Sequence, residues 1–366
     1  MRAAAAAFVS DLVKPGLETW ERDGVYPRAA VAGSGLTGLF CPQEHGGAAL
    51  GYPAGMEVFE ELGRGDAALA FSLSMHNAVA AAVCGCDDRP LRDRWGAALA
   101  AGTALGGFSL TEPHAGSDAT AITTFAAPSG DGWAVTGRKA WVSLAGEADL
   151  FLVVCKTARE PGHSDVALLA VDAAAAGVTF PVRYRTATAA FLPIGEMQLD
   201  EAPAVLVAPP GQGMRAALGA IDVARCDIAA IACGLHAEAL DVALRYVRDR
   251  QAFGRPLLAL DTMRFALADV MTDLEAGRLL YARAAALLGT PAGTVATAHA
   301  KRFCPDAALR AAIACSEALG AYGWLDDTPL PRFISLAKML QVVDGTAEIQ
   351  RLVIGRDLAR RAEGLN

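Results

Sequence analysis

The spacing of apolar positions changes twice along the chain. Up to about residue 105 it is helical. Met56-Glu-Val-Phe-Glu-Glu-Leu-Gly63 places apolar residues at i, i+3 and i+6 with acids on the other face, and Gly63 reads as the stop. Residues 67–83 are almost wholly apolar and predict a buried helix, in which His76 reads as a satisfied core residue. From about 106 to 205 the pattern becomes that of strands. Trp133-Ala-Val-Thr-Gly-Arg-Lys-Ala-Trp-Val142 and Leu150-Phe-Leu-Val-Val-Cys155 are β-branched and aromatic runs bounded by turn residues. Ser129-Gly-Asp-Gly132 reads as a hairpin turn, and residues 165–171 and 196–199 continue the pattern. Gly211-Gln-Gly213 ends this region, and helical spacing returns over 214–247, 262–288, 296–319 and 350–362. Antiparallel helices of such lengths make a bundle. The expected class is α+β: an N-terminal α-helical domain (1–105), a middle antiparallel, barrel-like β domain (106–210) and a C-terminal four-helix-bundle domain (211–366).

Composition narrows the function classes. The 366 residues are 53% hydrophobic and 20% charged, enough for two or three globular domains. The net charge of −8 argues against a nucleic-acid footprint or a basic membrane surface. Eight cysteines are scattered without a Cys-x-x-Cys pair, which reads as reduced thiols of a cytoplasmic protein and gives no metal site. The alanine-rich N-terminus faintly imitates a signal peptide, but Asp11 and Lys14 follow and it reads as a first helix. No apolar run is expected to reach the ~20 residues of a membrane span. Gly33-Ser-Gly-Leu-Thr-Gly38 satisfies a dinucleotide fingerprint on paper, yet Pro42, Gly46 and Gly47 forbid the helix that must follow it.

Candidate chemistry centres on Phe108-Ser-Leu-Thr-Glu-Pro-His-Ala-Gly-Ser-Asp118. Pro113 stops a strand, Gly116 frees the backbone, and Thr111 and Ser117 bring hydroxyls close together. Such a loop suits a flat polar ring system, or is a plain turn. The stretch resembles the flavin signature of the acyl-CoA dehydrogenase family, Thr-Glu-Pro-x-Ala-Gly-Ser-Asp. By that resemblance Phe108, Leu110, Thr111, Gly116 and Ser117 line the isoalloxazine of FAD, with Ser117 also toward substrate. Gly137-Arg-Lys-Ala-Trp-Val-Ser143 resembles the family's second flavin motif, which puts Trp141 and Ser143 beside the flavin. The segment from Gly35 to Gly47 resembles the family's N-terminal glycine-rich segment.

Further clusters follow in the family's order. Asp222 and Arg225 match the pair near the thioester end of the substrate. Tyr246-Val-Arg-Asp-Arg-Gln-Ala-Phe-Gly254 implies that Arg250 and Phe253 reach the FAD of a neighbouring subunit, so a homodimer or homotetramer is expected. A guanidinium fork suits diphosphate oxygens. Glu317 and Gly320 fall in the family's glycine motif near FAD, where Glu317 and Ala321 depart from the usual residues. Val343-Asp-Gly-Thr-Ala-Glu-Ile-Gln-Arg351 stands where the family has Glu-Gly-Thr-x-x-Ile-Gln; the resemblance makes Asp344 the catalytic base and assigns Thr346 and Glu348 to the cofactor. Asp344 also reads as a helix N-cap. The alternative base position before Arg225 holds Ala224, and a frequent upstream Arg-Asp pair is replaced by Ser335-Leu336.

The implied reaction takes an α-proton from a thioester while the β-hydride passes to FAD, and an acceptor then reoxidises the flavin. Hydrogen bonds to the thioester carbonyl stabilise the enolate. Aspartate has one methylene less reach than glutamate, and a ~1 Å misplacement can cost about 10²-fold. The departures resemble the family's acyl-carrier-protein dehydrogenases of polyketide extender-unit (methoxymalonyl) biosynthesis, which act on a small hydroxylated acyl group. The alternatives are a short-chain acyl-CoA dehydrogenase, a nitroalkane-oxidase-like flavoenzyme, and a flavin-binding scaffold without turnover.

Overall fold

The computed structural model describes residues 1–158 and 165–365. Helices α1 (Arg2–Phe8), α2 (Lys14–Asp23), α3 (Arg28–Ala32), α4 (Tyr52–Gly65), α5 (Ala67–Cys84) and α6 (Arg89–Ala100) come first. Strands β1 (Gly106–Ser109), β2 (Phe125–Ser129), β3 (Gly132–Ser143), β4 (Leu150–Lys156), β5 (Val166–Asp172), β6 (Val178–Arg183) and β7 (Ile194–Ala208) follow. Helix α7 (Gly213–Asp249), the small hairpin β8 (Gln251–Ala252) and β9 (Arg255–Pro256), and helices α8 (Asp261–Leu287), α9 (Pro291–Leu319), α10 (Leu330–Val342) and α11 (Ala347–Glu363) complete the order. This is the three-part fold of N-terminal helices, middle sheet and C-terminal helices.

Compactness divides the chain differently from sequence order. One unit, here the helical unit, is Met1–Pro15, Tyr52–Phe71 and Arg225–Asn366; the other, the sheet unit, is Gly16–Gly51 and Ser72–Ala224.

In the sheet unit, pairing runs β4–β2–β3–β7–β5 and returns to β4, with β1 added beside β4 and β6 beside β7. The expectation of an antiparallel domain is corrected at two places: β1 and β2 each run parallel to β4. Parallel neighbours need a long connection, and residues 110–149, with the β2–β3 hairpin among them, supply it to β1. The hairpin itself forms as expected, with Ser129 opposite Gly132. Val79, Val83 and Leu99 share a core with Leu150, Leu152 and Val154. His76 sits in that unit as a core residue. The Gly106 N–H donates to its Nδ1 at 3.0 Å, so its Nε2 carries the proton and donates to the Leu99 carbonyl at 3.0 Å. Burial pushes its pKa down to about 4. The Gly33–Gly38 stretch follows a short helix, not a strand; Gly35 holds φ +67°, and a Cβ on Gly38 would lie 2.7 Å from the Ala100 carbonyl oxygen.

In the helical unit, Gly63 does not stop α4, which continues to Gly65. A Cβ on Gly63 would lie 2.3 Å from the Ile231 carbonyl oxygen, and one on Gly234 would lie 2.0 Å from that of Glu60. The glycines let α4 and α7 touch backbone to backbone. Helix α10 went unread in the sequence because Pro329 and Pro331 resemble breakers. Pro331 lies in the first turn, where a missing N–H costs nothing. All eight cysteines are free and buried. Among the described residues one helix, α5, is long and apolar enough to cross a membrane, contrary to the expectation that no run comes close; most of it is buried inside the protein.

Candidate active site

In the sheet unit the candidate residues gather on the loop after β1. Phe108, Leu110 and Thr111 are half-buried there, while Gly116 and Ser117 are exposed. Glu112 and Ala115 exchange backbone hydrogen bonds of 2.9 and 3.1 Å, closing the turn around Pro113. The Glu112 side chain turns inward. It accepts the Thr123 N–H at 2.7 Å, the Thr123 hydroxyl at 2.8 Å and the Thr124 N–H at 2.9 Å. Lys139 of β3 donates to Glu112 Oε1 at 2.9 Å and to the Leu110 carbonyl at 2.9 Å. Burial alone would raise the Glu112 carboxyl, but the Lys139 ammonium and these donors hold it down to about 2. The Ala140 N–H donates to the Thr111 carbonyl at 2.9 Å. Both motifs read from the sequence are therefore brought together by a buried ion pair that the reading had not singled out.

Trp141 follows directly. The β3–β7 register shifts between Lys139 and Val142, and Trp141 takes φ +57° within that bulge. The bulge turns the indole outward, leaving it 64% exposed, while Ser143 is buried. Behind the indole stands Tyr184, with ring centroids 4.6 Å apart. Tyr184 donates to Glu196 at 2.9 Å, and Glu196 is paired with Arg138. An exposed indole held in place by Tyr184 can stack on a flat ring such as a flavin.

In the helical unit the candidate residues gather on the turn between α10 and α11. Val343 is extended, Asp344 takes φ +51° and Gly345 φ +99°, and Thr346 is the N-cap of α11. The N-cap reading of Asp344 is therefore corrected: the cap position belongs to Thr346, two residues on. Three side chains from three helices grip this turn. Arg225 Nε of α7 donates to the Asp344 carbonyl at 2.8 Å. Gln350 Nε2 of α11 donates to the Gly345 carbonyl at 3.0 Å. Lys301 Nζ of α9 donates to the Leu340 carbonyl at 2.6 Å. Gly345 is required here, since its Cβ would lie 3.0 Å from Gln350 Nε2 and 3.1 Å from an Arg225 guanidinium nitrogen. Asp344 Oδ2 is out of water and has no hydrogen-bond partner. Burial pushes the carboxyl pKa up, against the pull of Lys301 and Arg225, to about 6. Such a group is ionised at neutral pH yet ready to take a proton.

Asp222 is half-buried one turn before Arg225 on α7, and Ala224 is a buried alanine that offers no base. Glu348 is exposed and pairs with Arg351 at 3.0 Å. Lys301 and Gln350 were not singled out as site residues. Their signal was their place on the inner faces of α9 and α11, where both are buried.

A third feature lies at the far end of the helical unit. Arg250, Glu317 and Gly320 line one groove of about 400 Å³ with Tyr246 and Tyr322. Gly320 holds φ +60°, ψ −134°, a conformation reserved for glycine. Phe253, at φ +53° beside the β8–β9 hairpin, is 91% exposed. An exposed guanidinium in a groove suits the diphosphate of FAD.

The N-terminal, middle and C-terminal domains of acyl-CoA dehydrogenase match residues 1–103, 107–202 and 211–359. An acyl-CoA dehydrogenase of Bacillus subtilis (strain 168) is 32% identical over 98% of this chain and 97% of its own. The mitochondrial short-chain specific acyl-CoA dehydrogenase of Homo sapiens is 32% identical over 93% of this chain and 84% of its own. The butyryl-CoA dehydrogenase structure from Megasphaera elsdenii superposes with a TM-score of 0.93 at 27% identity, covering 98% of this chain and 97% of that one. The chain belongs to the acyl-CoA dehydrogenase family, FAD-dependent oxidoreductases acting on acyl thioesters.

Proposed function

We propose that this dehydrogenase oxidises a small, hydroxylated acyl group carried as a thioester on an acyl carrier protein, with Asp344 as the base that takes the α-proton. The observation that carries the base assignment is the unpartnered, buried Oδ2 of Asp344 on a turn gripped from three helices. Bound FAD supplies the acceptor for the β-hydride. The protein's own groups do the rest. Asp344 Oδ2 receives the α-proton, and the Asp344 backbone N–H serves the thioester carbonyl. Arg225 anchors the turn through its Nε, and Asp222 with Arg225 faces the thioester end of the substrate. Trp141 and the loop hydroxyls of Thr111, Ser117 and Ser143 hold the ring system. Thr346 and Glu348 stand at the N-terminus of α11, on the cofactor side. Arg250 and Phe253, with Glu317 and Gly320, serve FAD across a contact between two copies, so the working form is at least a dimer. Electrons leave through an electron-transferring flavoprotein, as in the family.

The unusual acyl group is supported by the shortened base, which a differently placed α-carbon must meet; the carrier rests on the resemblance of the departures at Asp344, Glu317 and Ala321 to the carrier-protein branch. A free acyl-CoA is the second reading, favoured by the 32% identity to the human short-chain specific enzyme. Anaerobic mixing with three substrates separates them. A hydroxyacyl carrier protein is expected to bleach the flavin faster than the same acyl group on CoA, with nitroalkanes inert. Equal or faster bleaching by the CoA thioester would overturn the carrier assignment. Bleaching by nitroalkanes alone would overturn the thioester reading, and no bleaching at all would leave a scaffold.

A further inference from the structure

The base turn has a feature that the family motifs do not assign. Lys301 lies on α9, 2% exposed, on the helix face that also buries Thr297, Cys304 and Ala308. A lysine there must give up its hydration, so its single ammonium needs partners. It finds the Leu340 carbonyl at 2.6 Å, in the last turn of α10. That places a cation at a helix C-terminus, where free carbonyls favour positive charge. Four residues further on the chain turns left-handed at Asp344. Lys301 thus fixes where α10 ends and, through it, where the carboxylate stands.

The charges around the turn are few. Asp344 is faced by Lys301 from α9 and Arg225 from α7. Lys301 in turn is faced by Asp344, Arg225, Asp306 and Cys304. Asp306 is already held by Arg302 and by Gln341, whose Nε2 donates to it at 2.8 Å. On α10, Lys338 is bonded to Gln341 at 2.9 Å, and on α11, Glu348 is paired with Arg351 at 3.0 Å. Arg225 commits its Nε to the Asp344 backbone. Lys301 and Arg225 both act on the carboxylate, Lys301 more strongly.

We infer that Lys301 is a positioning residue whose ammonium, strapped to the Leu340 carbonyl, anchors the base-bearing turn and keeps the Asp344 carboxylate ionised and able to accept a proton. Without a nearby cation, a carboxylate out of water takes up a proton and is lost as a base. The direction of the Asp344 shift agrees: burial raises its pKa and Lys301 is the larger of the two opposing influences.

This inference rests on Asp344 being the base, and the two are tested separately. Lys301→Met removes charge and strap together; Lys301→Gln keeps a donor for Leu340 and removes only the charge. The readouts are the pH profile of single-turnover flavin reduction and an infrared titration of the Asp344 carboxyl, taken as wild type minus Asp344→Asn. Both variants are expected to move the rising limb and the carboxyl titration upward by about 1 pH unit or more, as loss of a nearby opposite charge does. At pH well above the new limb, Lys301→Gln should recover the wild-type rate. A Lys301→Gln profile lying on that of wild type, or lowered equally at every pH, would overturn the inference, as would loss of the fold in both variants. If Asp344→Asn itself reduces flavin at the wild-type rate, it is the base assignment that fails, whatever Lys301 does.

Discussion

Lys139 and Lys301 are both buried, and each has a carboxylate nearby, but the two pairs are built in opposite ways. In the sheet unit the Lys139 ammonium touches Glu112 at 2.9 Å, and the Glu112 carboxylate ties the loop after β1 to Thr123 and Thr124. Its carboxyl is held down to about 2. In the helical unit Lys301 donates to a carbonyl instead, and Asp344 Oδ2 has no hydrogen bond. Its carboxyl is pushed up to about 6, and Lys301 is pulled down to about 8, chiefly by burial. Contact and full hydrogen bonding make a carboxylate inert and structural. Separation and desolvation leave one that can exchange a proton near neutral pH.

The largest expected effect breaks the structural pair. Lys139→Met leaves Glu112 buried without its countercharge and should cost about 3–5 kcal/mol in denaturant unfolding. The pH limb of flavin reduction should stay in place, because Lys139 does not serve Asp344. A loss below 1 kcal/mol would mean that the two motifs are held by something else. Next comes Asp344→Glu, which inserts a methylene into a turn already gripped from three sides. Overpacking costs about 1–3 kcal/mol, or roughly tenfold or more in the rate of flavin reduction. A faster rate on a simple acyl-CoA would instead mark an ordinary dehydrogenase with a weakened base.

Smaller effects test the periphery and the titration. Arg250→Ala removes a charged donor from the groove, and equilibrium titration should show FAD affinity falling about tenfold. A stable FAD-bound monomer in sedimentation would contradict its role between copies. The smallest effect is the pH dependence. Flavin reduction should rise through about pH 6 as Asp344 ionises and then level. Stability has the opposite signs at the two carboxylates. Glu112, whose pKa is lowered, contributes stability that is complete above the ordinary carboxylate range and is lost as pH falls toward about 2. Asp344, whose pKa is raised, carries a penalty at neutral pH that is relieved as pH falls from about 6. Acid unfolding of Glu112→Gln should therefore show a weaker low-pH limb than wild type, and that of Asp344→Asn should not.

What the sequence made legible follows the range of the interactions. The loop after β1 and the second motif are each contiguous in sequence, and the turn residues Pro113 and Gly116 of the loop act locally. The hairpin at Ser129–Gly132 and the long helices show through spacing alone. The unread parts are non-local. The parallel pairing of β1 with β4 depends on a crossover through the hairpin. Gly63 looked like a stop because its partner, Ile231, is far along the chain. Lys301 and Leu340 are 39 residues apart, and nothing in either neighbourhood announces the other. The base could be placed from its Gly345 and Gln350 context, but its raised pKa is a property of burial that no motif records.

The central claim is that Asp344 takes the α-proton, and Asp344→Asn tests it most directly. The amide keeps the shape and a hydrogen-bonding tip and removes the basicity. Rapid mixing of the FAD-loaded variant with the thioester substrate, in the absence of oxygen, should show substrate bound and flavin reduction slowed by about 10²-fold or more. Flavin reduction at the wild-type rate would contradict the account.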